Sequence, residues 1–234
     1  MNIVIIGGSR GIGLAAAKEL QKDGHRLLLT GRDAGALINA KETLLSGPEG
    51  EVLTFPMDIT KEEDNKALVK YLEEQKFPVD GLVLNAAKFP DPRTKCSVIQ
   101  PAAEELEEIL RTNVVGHYRV VQSLLPGMHP GGRIILIGST SGIRQDKGGI
   151  YGISKWALRS YAYNLREECK SYGIGVSLIH PGGTFTETRK KQGPEDTSLL
   201  ETSDLGILIA TAFRLSGQAV IEELSIRPVT GDTY

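Results

Sequence analysis

The sequence predicts an α/β protein of three layers, a doubly wound, parallel, seven-stranded sheet with helices on both faces. Three observations predict it. Short apolar, β-branched runs alternate with longer helix-forming stretches along all 234 residues. Those runs are continuous rather than alternating in polarity, as in strands buried on both faces. Right-handed crossovers place ligands outside the carboxyl ends of such strands, and the glycines and polar residues of this chain gather there.

Asn2-Ile3-Val4-Ile5-Ile6 reads as the first strand. Gly7-Gly8-Ser9-Arg10-Gly11-Ile12-Gly13 turns sharply, and Leu14 to Leu20 continues as a good helix former. Strand, glycine turn and helix in that order aim free N–H groups and a positive helix end at one point, which favours a phosphate. The glycines let a diphosphate approach without meeting a Cβ. A glycine-rich turn that binds nothing has the same signature.

Arg26 to Thr30 is the second strand, and Ala34 to Leu45 a helix behind an Asp33 cap. Gly47 to Gly50 is a turn. Glu51 to Phe55 is the third strand, followed by a polar-faced helix, Lys61 to Gln75, that Thr60 caps. Gly81 to Leu84 is the fourth strand, and Lys88 to Pro101 a loop with three prolines. A long helix runs from Ala102 to Leu125. After the Pro130-Gly131-Gly132 turn comes the fifth strand, Arg133 to Ile137. The helix from Tyr151 to Tyr172 leads into the sixth strand, Val176 to Ile179. Glu187 to Ser203 is polar and suits either an active-site lid or a plain surface loop. A last helix, Asp204 to Ser216, precedes the seventh strand, Ile221 to Ile226. No repeat or linker interrupts the series, so residues 1–234 read as one domain with a substrate loop at 187–203.

Composition narrows the function classes. The net charge is -2 with both signs interspersed, which does not indicate a nucleic-acid or anionic-membrane surface. No apolar run reaches the length of a membrane span. The two cysteines, Cys96 and Cys169, fit a reduced, cytoplasmic protein, and no Cys/His cluster has metal-ligand spacing.

Four polar positions lie at strand ends or on the helices that follow. Ser139 comes just after the fifth strand, in Ile137-Gly138-Ser139-Thr140-Ser141-Gly142. Tyr151 and Lys155 stand at i and i+4 and so share a helix face. Asn113 sits inside the long helix, where a mediocre helix former marks a local distortion or a water site. Singly, each has a plain structural reading: a turn serine, a solvated helix pair, a satisfied buried amide. The combination is more specific, because the glycine turn, the strand-end Ser and Y-x-x-x-K occur in order on suitable elements.

In this combination the chain resembles the short-chain dehydrogenase/reductase family, in its single-domain Rossmann form, from Asn2 to about Pro228. Gly7, Gly11 and Gly13 match the family's cofactor glycines, with Ser9, Arg10 and Ile12 among them. Asp58, with Ile59 after it, matches the acidic position near adenine. Asn85-Ala86-Ala87 is similar to the family's Asn-Ala-Gly motif. Asn113, Ser139, Tyr151 and Lys155 match its catalytic tetrad. Pro181-Gly182-Gly183-Thr184-Phe185-Thr186 resembles the Pro-Gly motif that lies against the nicotinamide carboxamide. Ile6, Ala87 and Thr184 stand where Thr, Gly and an aliphatic residue are commoner, and the Ser139–Tyr151 interval is one residue short.

The resemblance implies hydride transfer between a nicotinamide and a small carbonyl or alcohol substrate. Tyr151 is then the acid/base, with its phenol lowered by the Lys155 ammonium and the oxidised nicotinamide. Lys155 also bonds the nicotinamide ribose. Ser139 holds the substrate oxygen, and Asn113 positions a water linking Lys155 to solvent. Charge argues for NADP(H) over NAD(H). Gly31 occupies the end of the second strand where NAD enzymes place a carboxylate, and Arg32 and Arg10 suit a 2′-phosphate. Asp33, twenty residues past Gly13, is the counter-sign; it reads as a helix cap. Pocket walls are expected near Lys88–Phe89, Ser141–Ile150, Gly183 and beyond Thr186. Arg144 and Lys147 suit either an anionic substrate or a solvated loop. The resemblance implies a homodimer or homotetramer through the helices from Ala102 and Tyr151. An NADP-binding regulator or sensor with a vestigial site is the alternative, and a dehydratase or epimerase a third reading.

Overall fold

The computed structural model describes residues 1–45, 50–94, 96–144, 148–186 and 198–231. In chain order the strands are β1 (Asn2–Ile6), β2 (Arg26–Gly31), β3 (Val52–Pro56), β4 (Gly81–Leu84), β5 (Arg133–Ile137), β6 (Gly175–Pro181), β7 (Thr184–Phe185), β8 (Leu200–Glu201) and β9 (Glu223–Ile226). They form a seven-stranded sheet in the order β3-β2-β1-β4-β5-β6-β9 and a separate β7-β8 pair. Every neighbouring pair is parallel. The chain winds outward from β1 to β3, then crosses back to β4. The order therefore reverses between β1 and β4, and a crevice opens there at the carboxyl ends.

The helices are α1 (Gly11–Lys22), α2 (Ala34–Leu45), α3 (Glu62–Glu74), α4 (Ala103–Leu110), α5 (His117–Leu124), α6 (Gly149–Cys169) and α7 (Thr202–Arg214). Because successive strand residues point to opposite faces, β1 divides its side chains between two cores. Val4 and Ile6 join Leu68, Val120 and Leu158 under α3, α5 and α6. Ile3 and Ile5 join Ala16, Leu37 and Ile209 under α1, α2 and α7. Each fully buried aliphatic side chain contributes roughly 1.5–3 kcal/mol. Ile6 is one of them, at 0% exposure; its side chain serves the sheet core. Helices α1 and α7 approach closely enough that a Cβ on Gly206 would stand 2.6 Å from the Ala15 carbonyl oxygen.

Four sequence expectations are corrected. The helix expected over Ala102 to Leu125 is interrupted by a π-helical segment, Arg111–Gly116, between α4 and α5. Thr60 does not cap α3. Its N–H and hydroxyl both donate to Asp58 Oδ1, at 2.9 and 2.8 Å. Lys61 stands at the cap position without a side-chain bond, while Glu62, Glu63 and Asp64 complement the helix dipole. Within Glu187 to Ser203, residues 198–203 are not open loop: Leu200 pairs with Thr184, and α7 begins at Thr202. The sixth strand runs on to Pro181, which takes His180 into the sheet. Residues 187–197, the turn positions 47–49 and Lys147 lie outside the described residues.

Candidate active site

The glycine turn is built against the end of β4. Gly7 has φ 82°, and a Cβ there would stand 2.9 Å from the Ala86 backbone. Gly11 has φ 55°. A Cβ on Gly13 would stand 2.1 Å from the Gly7 carbonyl oxygen. Asn85 Nδ2 donates to that same oxygen at 2.8 Å. Gly7 and Gly8 donate to the Thr30 carbonyl at 3.0 and 2.9 Å, which ties the turn to β2. Arg10 is the extended N-cap of α1, with no side-chain cap bond. Ile12 packs on the second core. The Thr186 methyl lies 3.5 Å from the Cβ position of Gly11, so the end of the Pro181–Thr186 segment borders the turn. A side chain at Gly7 or Gly13 would collide with the Ala86 backbone or the Gly7 carbonyl, so these glycines let the turn close tightly between β4 and α1, the geometry a diphosphate-binding turn needs.

Beside it, Ser9 Oγ stands 3.4 Å from the Cβ position of Gly31. Arg10 and Arg32 are both exposed and form no hydrogen bond with another described residue. Asp33 is a helix cap, accepting from the Ala36 N–H at 3.0 Å. Burial pushes the Asp58 carboxyl up, but the two Thr60 bonds and the charges of Arg32 and Lys61 outweigh it and hold the group below its ordinary value. Ile59 is 5% exposed, with its side chain against the backbone of Gly116.

The tetrad residues converge from three elements: Asn113 from the π segment, Ser139 from the turn after β5, and Tyr151 and Lys155 from α6. Ser139 caps a single 3-10 turn, Thr140–Gly142, its Oγ accepting from the Ser141 N–H at 3.1 Å. The Tyr151 hydroxyl is hydrogen bonded to the Ser139 side chain. Lys155, 1% exposed, reaches under Tyr151. Its Nζ lies 5.5 Å from the ring centroid and donates to the Ile137 carbonyl at 2.8 Å. Phe89 stacks on the Tyr151 ring with centroids 4.9 Å apart. Asn113 sits in the π segment, the distortion its position foretold. Its Oδ1 accepts from the Lys88 N–H at 2.7 Å, and its Nδ2 donates to the Lys88 carbonyl and to Ser154 Oγ, each at 3.0 Å. The whole amide is thus spent on holding the segment after Asn85-Ala86-Ala87 against α6.

Electrostatics differ from the expectation. Burial raises the Tyr151 phenol above its ordinary value, and the Ser139 bond offsets only part of that. The same burial brings the Lys155 ammonium down to about 7. Tyr151 is therefore held as a protonated donor, beside a lysine able to exchange a proton near neutrality.

On the far side of the site, Thr184 Oγ1 donates to the Gly182 carbonyl at 3.0 Å. The Gly182 N–H donates to Ile226 at 2.8 Å, and Pro181 pairs with Ile226 in the sheet. Ala87 is half-buried.

Three residues at the site were missed by sequence reasoning. His117 Nε2 meets the Ala86 carbonyl at 2.8 Å, and burial with the Lys155 charge lowers the ring to about 3. His180 contacts the Ser139 backbone, and Glu223 contacts His180. Only the strand order brings the last two together; the one local signal was a histidine directly before Pro181-Gly182. Among the described residues no His, Cys, Asp and Glu group could hold a metal ion, and no helix is long and apolar enough to cross a membrane.

Comparison with known proteins places this geometry. The family model for the short chain dehydrogenase matches residues 1–197. An uncharacterised oxidoreductase of Listeria monocytogenes is 33% identical over 190 residues, covering 79% of this chain and 75% of the relative. One from Staphylococcus aureus is 28% identical over 97% of this chain and 96% of its own. Among solved structures, an alcohol dehydrogenase from the archaeon Thermococcus sibiricus, complexed with 5-hydroxy-NADP, has a similar fold. Its TM-score is 0.89 at 24% identity, covering 100% of this chain and 98% of that one. The chain belongs to the short-chain dehydrogenase/reductase family and is an oxidoreductase acting on alcohol or carbonyl groups.

Proposed function

We propose that the protein is an NADP(H)-dependent oxidoreductase of small carbonyl or alcohol compounds, with Tyr151 as its acid/base. The observation that carries this reading is the Tyr151 hydroxyl bonded to Ser139 above a buried Lys155, at the same sheet end as the glycine cradle. The bound dinucleotide supplies or accepts the hydride. Gly7, Gly11 and Gly13 admit its diphosphate, flanked by Ser9 and Ile12, and the 181–186 segment borders the nicotinamide end. Asp58 and Ile59, with Asn85, Ala86 and Ala87, wall the adenosine and ribose side.

Tyr151 gives its hydroxyl proton to the substrate oxygen during reduction and takes it back during oxidation. Ser139 donates to that oxygen as charge develops on it. Lys155, near its midpoint at neutral pH, restores the proton to Tyr151. Asn113 keeps the Lys88 backbone and α6 in register around them. Arg10 in the glycine turn and Arg32 at the end of β2, both exposed, suit a 2′-phosphate, and the archaeal neighbour's 5-hydroxy-NADP agrees with that choice. Cytoplasmic residence and homodimeric or homotetrameric pairing belong to the same reading. The exposed Tyr118, Ile153 and Trp156 on α5 and α6 support the pairing, and sedimentation measures it.

The test is NADPH consumption against a panel of ketones, aldehydes and acyl thioesters, with nucleotide binding measured separately. Tyr151→Phe should bind NADPH normally and lose turnover by about 10²–10⁴-fold. A near wild-type rate refutes the assignment, and binding without turnover across the panel establishes a sensor instead. Arg32→Ala should lower selectivity for NADPH over NADH about ten-fold or more, as expected for a lost charge-assisted bond. Unchanged selectivity assigns NAD(H).

A further inference from the structure

Strand β5 and strand β6 pair in register as far as Ile137 and Ile179, and the Gly138 N–H still donates to the Ile179 carbonyl at 2.7 Å. The backbone ladder stops there, because Pro181 has no N–H to offer. The next residue of β5's strand end, Ser139, takes its partner from a side chain. His180 Nδ1 lies 3.3 Å from the Ser139 N and 2.9 Å from the Ser139 carbonyl oxygen. The imidazole is fully buried. Gly138 makes the space for it, since a Cβ there would stand 2.6 Å from Nδ1.

The other ring nitrogen is clamped. His180 Nε2 meets Glu223 Oε1 at 2.7 Å. Glu223 also accepts from Arg159 Nε at 2.7 Å, from Arg159 Nη2 at 3.2 Å and from the Tyr163 hydroxyl at 2.5 Å. Thus β9 contributes a carboxylate and α6 a guanidinium and a phenol to one cluster behind Ser139.

We propose that His180, clamped by Glu223, Arg159 and Tyr163, is the positioning residue for Ser139, fixing its peptide and through it the hydroxyl that meets Tyr151. The proposal rests on the reading of Ser139 and Tyr151 as the reacting pair. Burial favours the neutral carboxyl of Glu223, but the bonds from Arg159, Tyr163 and His180 outweigh it and bring the group down to about 2. Glu223 is then an acceptor at every working pH, so Nε2 carries its hydrogen. Nδ1 is left to act on Ser139. In the neutral ring it accepts the Ser139 N–H; in the imidazolium it donates to the Ser139 carbonyl. Protonation of His180 therefore reverses the polarity of its contact with Ser139. Burial, and after it the Arg159 charge from α6, lower the ring below its ordinary value, against Glu223 from β9 and the Ser139 peptide, which raise it.

The experiment follows imidazole nitrogen and backbone amide NMR signals of the isotopically labelled full chain across pH. In wild type, neutral His180 should be the Nε2–H tautomer, and the Ser139 amide should shift with the His180 midpoint. Glu223→Gln should move both midpoints downward together. His180→Phe, which keeps the ring's shape, should leave the Ser139 amide flat with pH. A wild-type Ser139 amide that ignores the His180 titration overturns the proposal. On a panel compound that wild type reduces and Tyr151→Phe does not, His180→Phe should lower kcat about ten- to a hundred-fold, as for a displaced reacting group. KM for NADPH should stay unchanged, and His180→Asn should recover part of the loss. An unchanged kcat in His180→Phe also overturns it. Coupled midpoints in a protein that reduces nothing support the clamp and sink the catalytic reading alone.

Discussion

Replacing Lys155 by Met should change the pH dependence of stability by an amount that the burial of its ammonium sets. Lys155 is 1% exposed and keeps a single described polar partner, the Ile137 carbonyl. Burial brings its pKa from the ordinary 10.5 to about 7. Between those values the unfolded chain binds more protons than the folded one, so stability rises with pH across that window and is lost as pH falls toward 7. Below the folded value the burden of the charged form is complete, about 5 kcal/mol at 1.36 kcal/mol per pKa unit. Between about pH 6 and pH 9 the relief amounts to roughly 3 kcal/mol. Lys155→Met keeps most of the volume and cannot titrate. The assay is urea unfolding of both proteins in steps over that range, taking the difference at each pH so that all other groups cancel. Lys155→Met should hold its largest relative stability at the acid end, and the gap should close by roughly 3 kcal/mol toward the alkaline end. A constant offset refutes the reasoning, because the Ile137 bond contributes the same at every pH.

Two further outcomes follow from contacts already described. Asn113→Leu should destabilise by about 3 kcal/mol in the same denaturation assay, since the Lys88 N–H and carbonyl and the Ser154 hydroxyl lose a buried partner. Gly206→Ala should cost about 1–3 kcal/mol by forcing α7 away from the Ala15 carbonyl. Gly217→Ala, whose Cβ would meet nothing within 4 Å, should stay near wild type.

The sheet was legible because its signals are local. A continuous apolar run announces a strand buried on both faces, and the glycine turn announces the cradle. Asn113 was legible as an anomaly, a poor helix former in mid-helix, and the π segment is its physical content. Asp33 was legible as a cap. Thr60 was misread because a hydroxyl beside a helix start has a second choice, and Asp58, two residues back, offered a carboxylate oxygen. The phenol of Tyr151 was read with the Lys155 and oxidised-nicotinamide charges and without its burial, which in the chain alone raises it. His180 and Glu223 were invisible for a different reason. They stand 43 residues apart, and only the placing of β9 beside β6 makes them neighbours.

That placing has a consequence for how the site comes apart. Strand β9 is the rim of the main sheet, hydrogen bonded to β6 alone. Rim strands open at lower free energy than the strands they cover, in partial excursions that leave the rest folded. An excursion of β9 carries Glu223 off His180 while β1, β4 and β5 keep the cradle intact. Such an opening would leave the glycine turn folded on β1 and β4 while Ser139 loses the His180–Glu223 clamp. Amide exchange at Leu224 and Ser225 would report the frequency of that excursion.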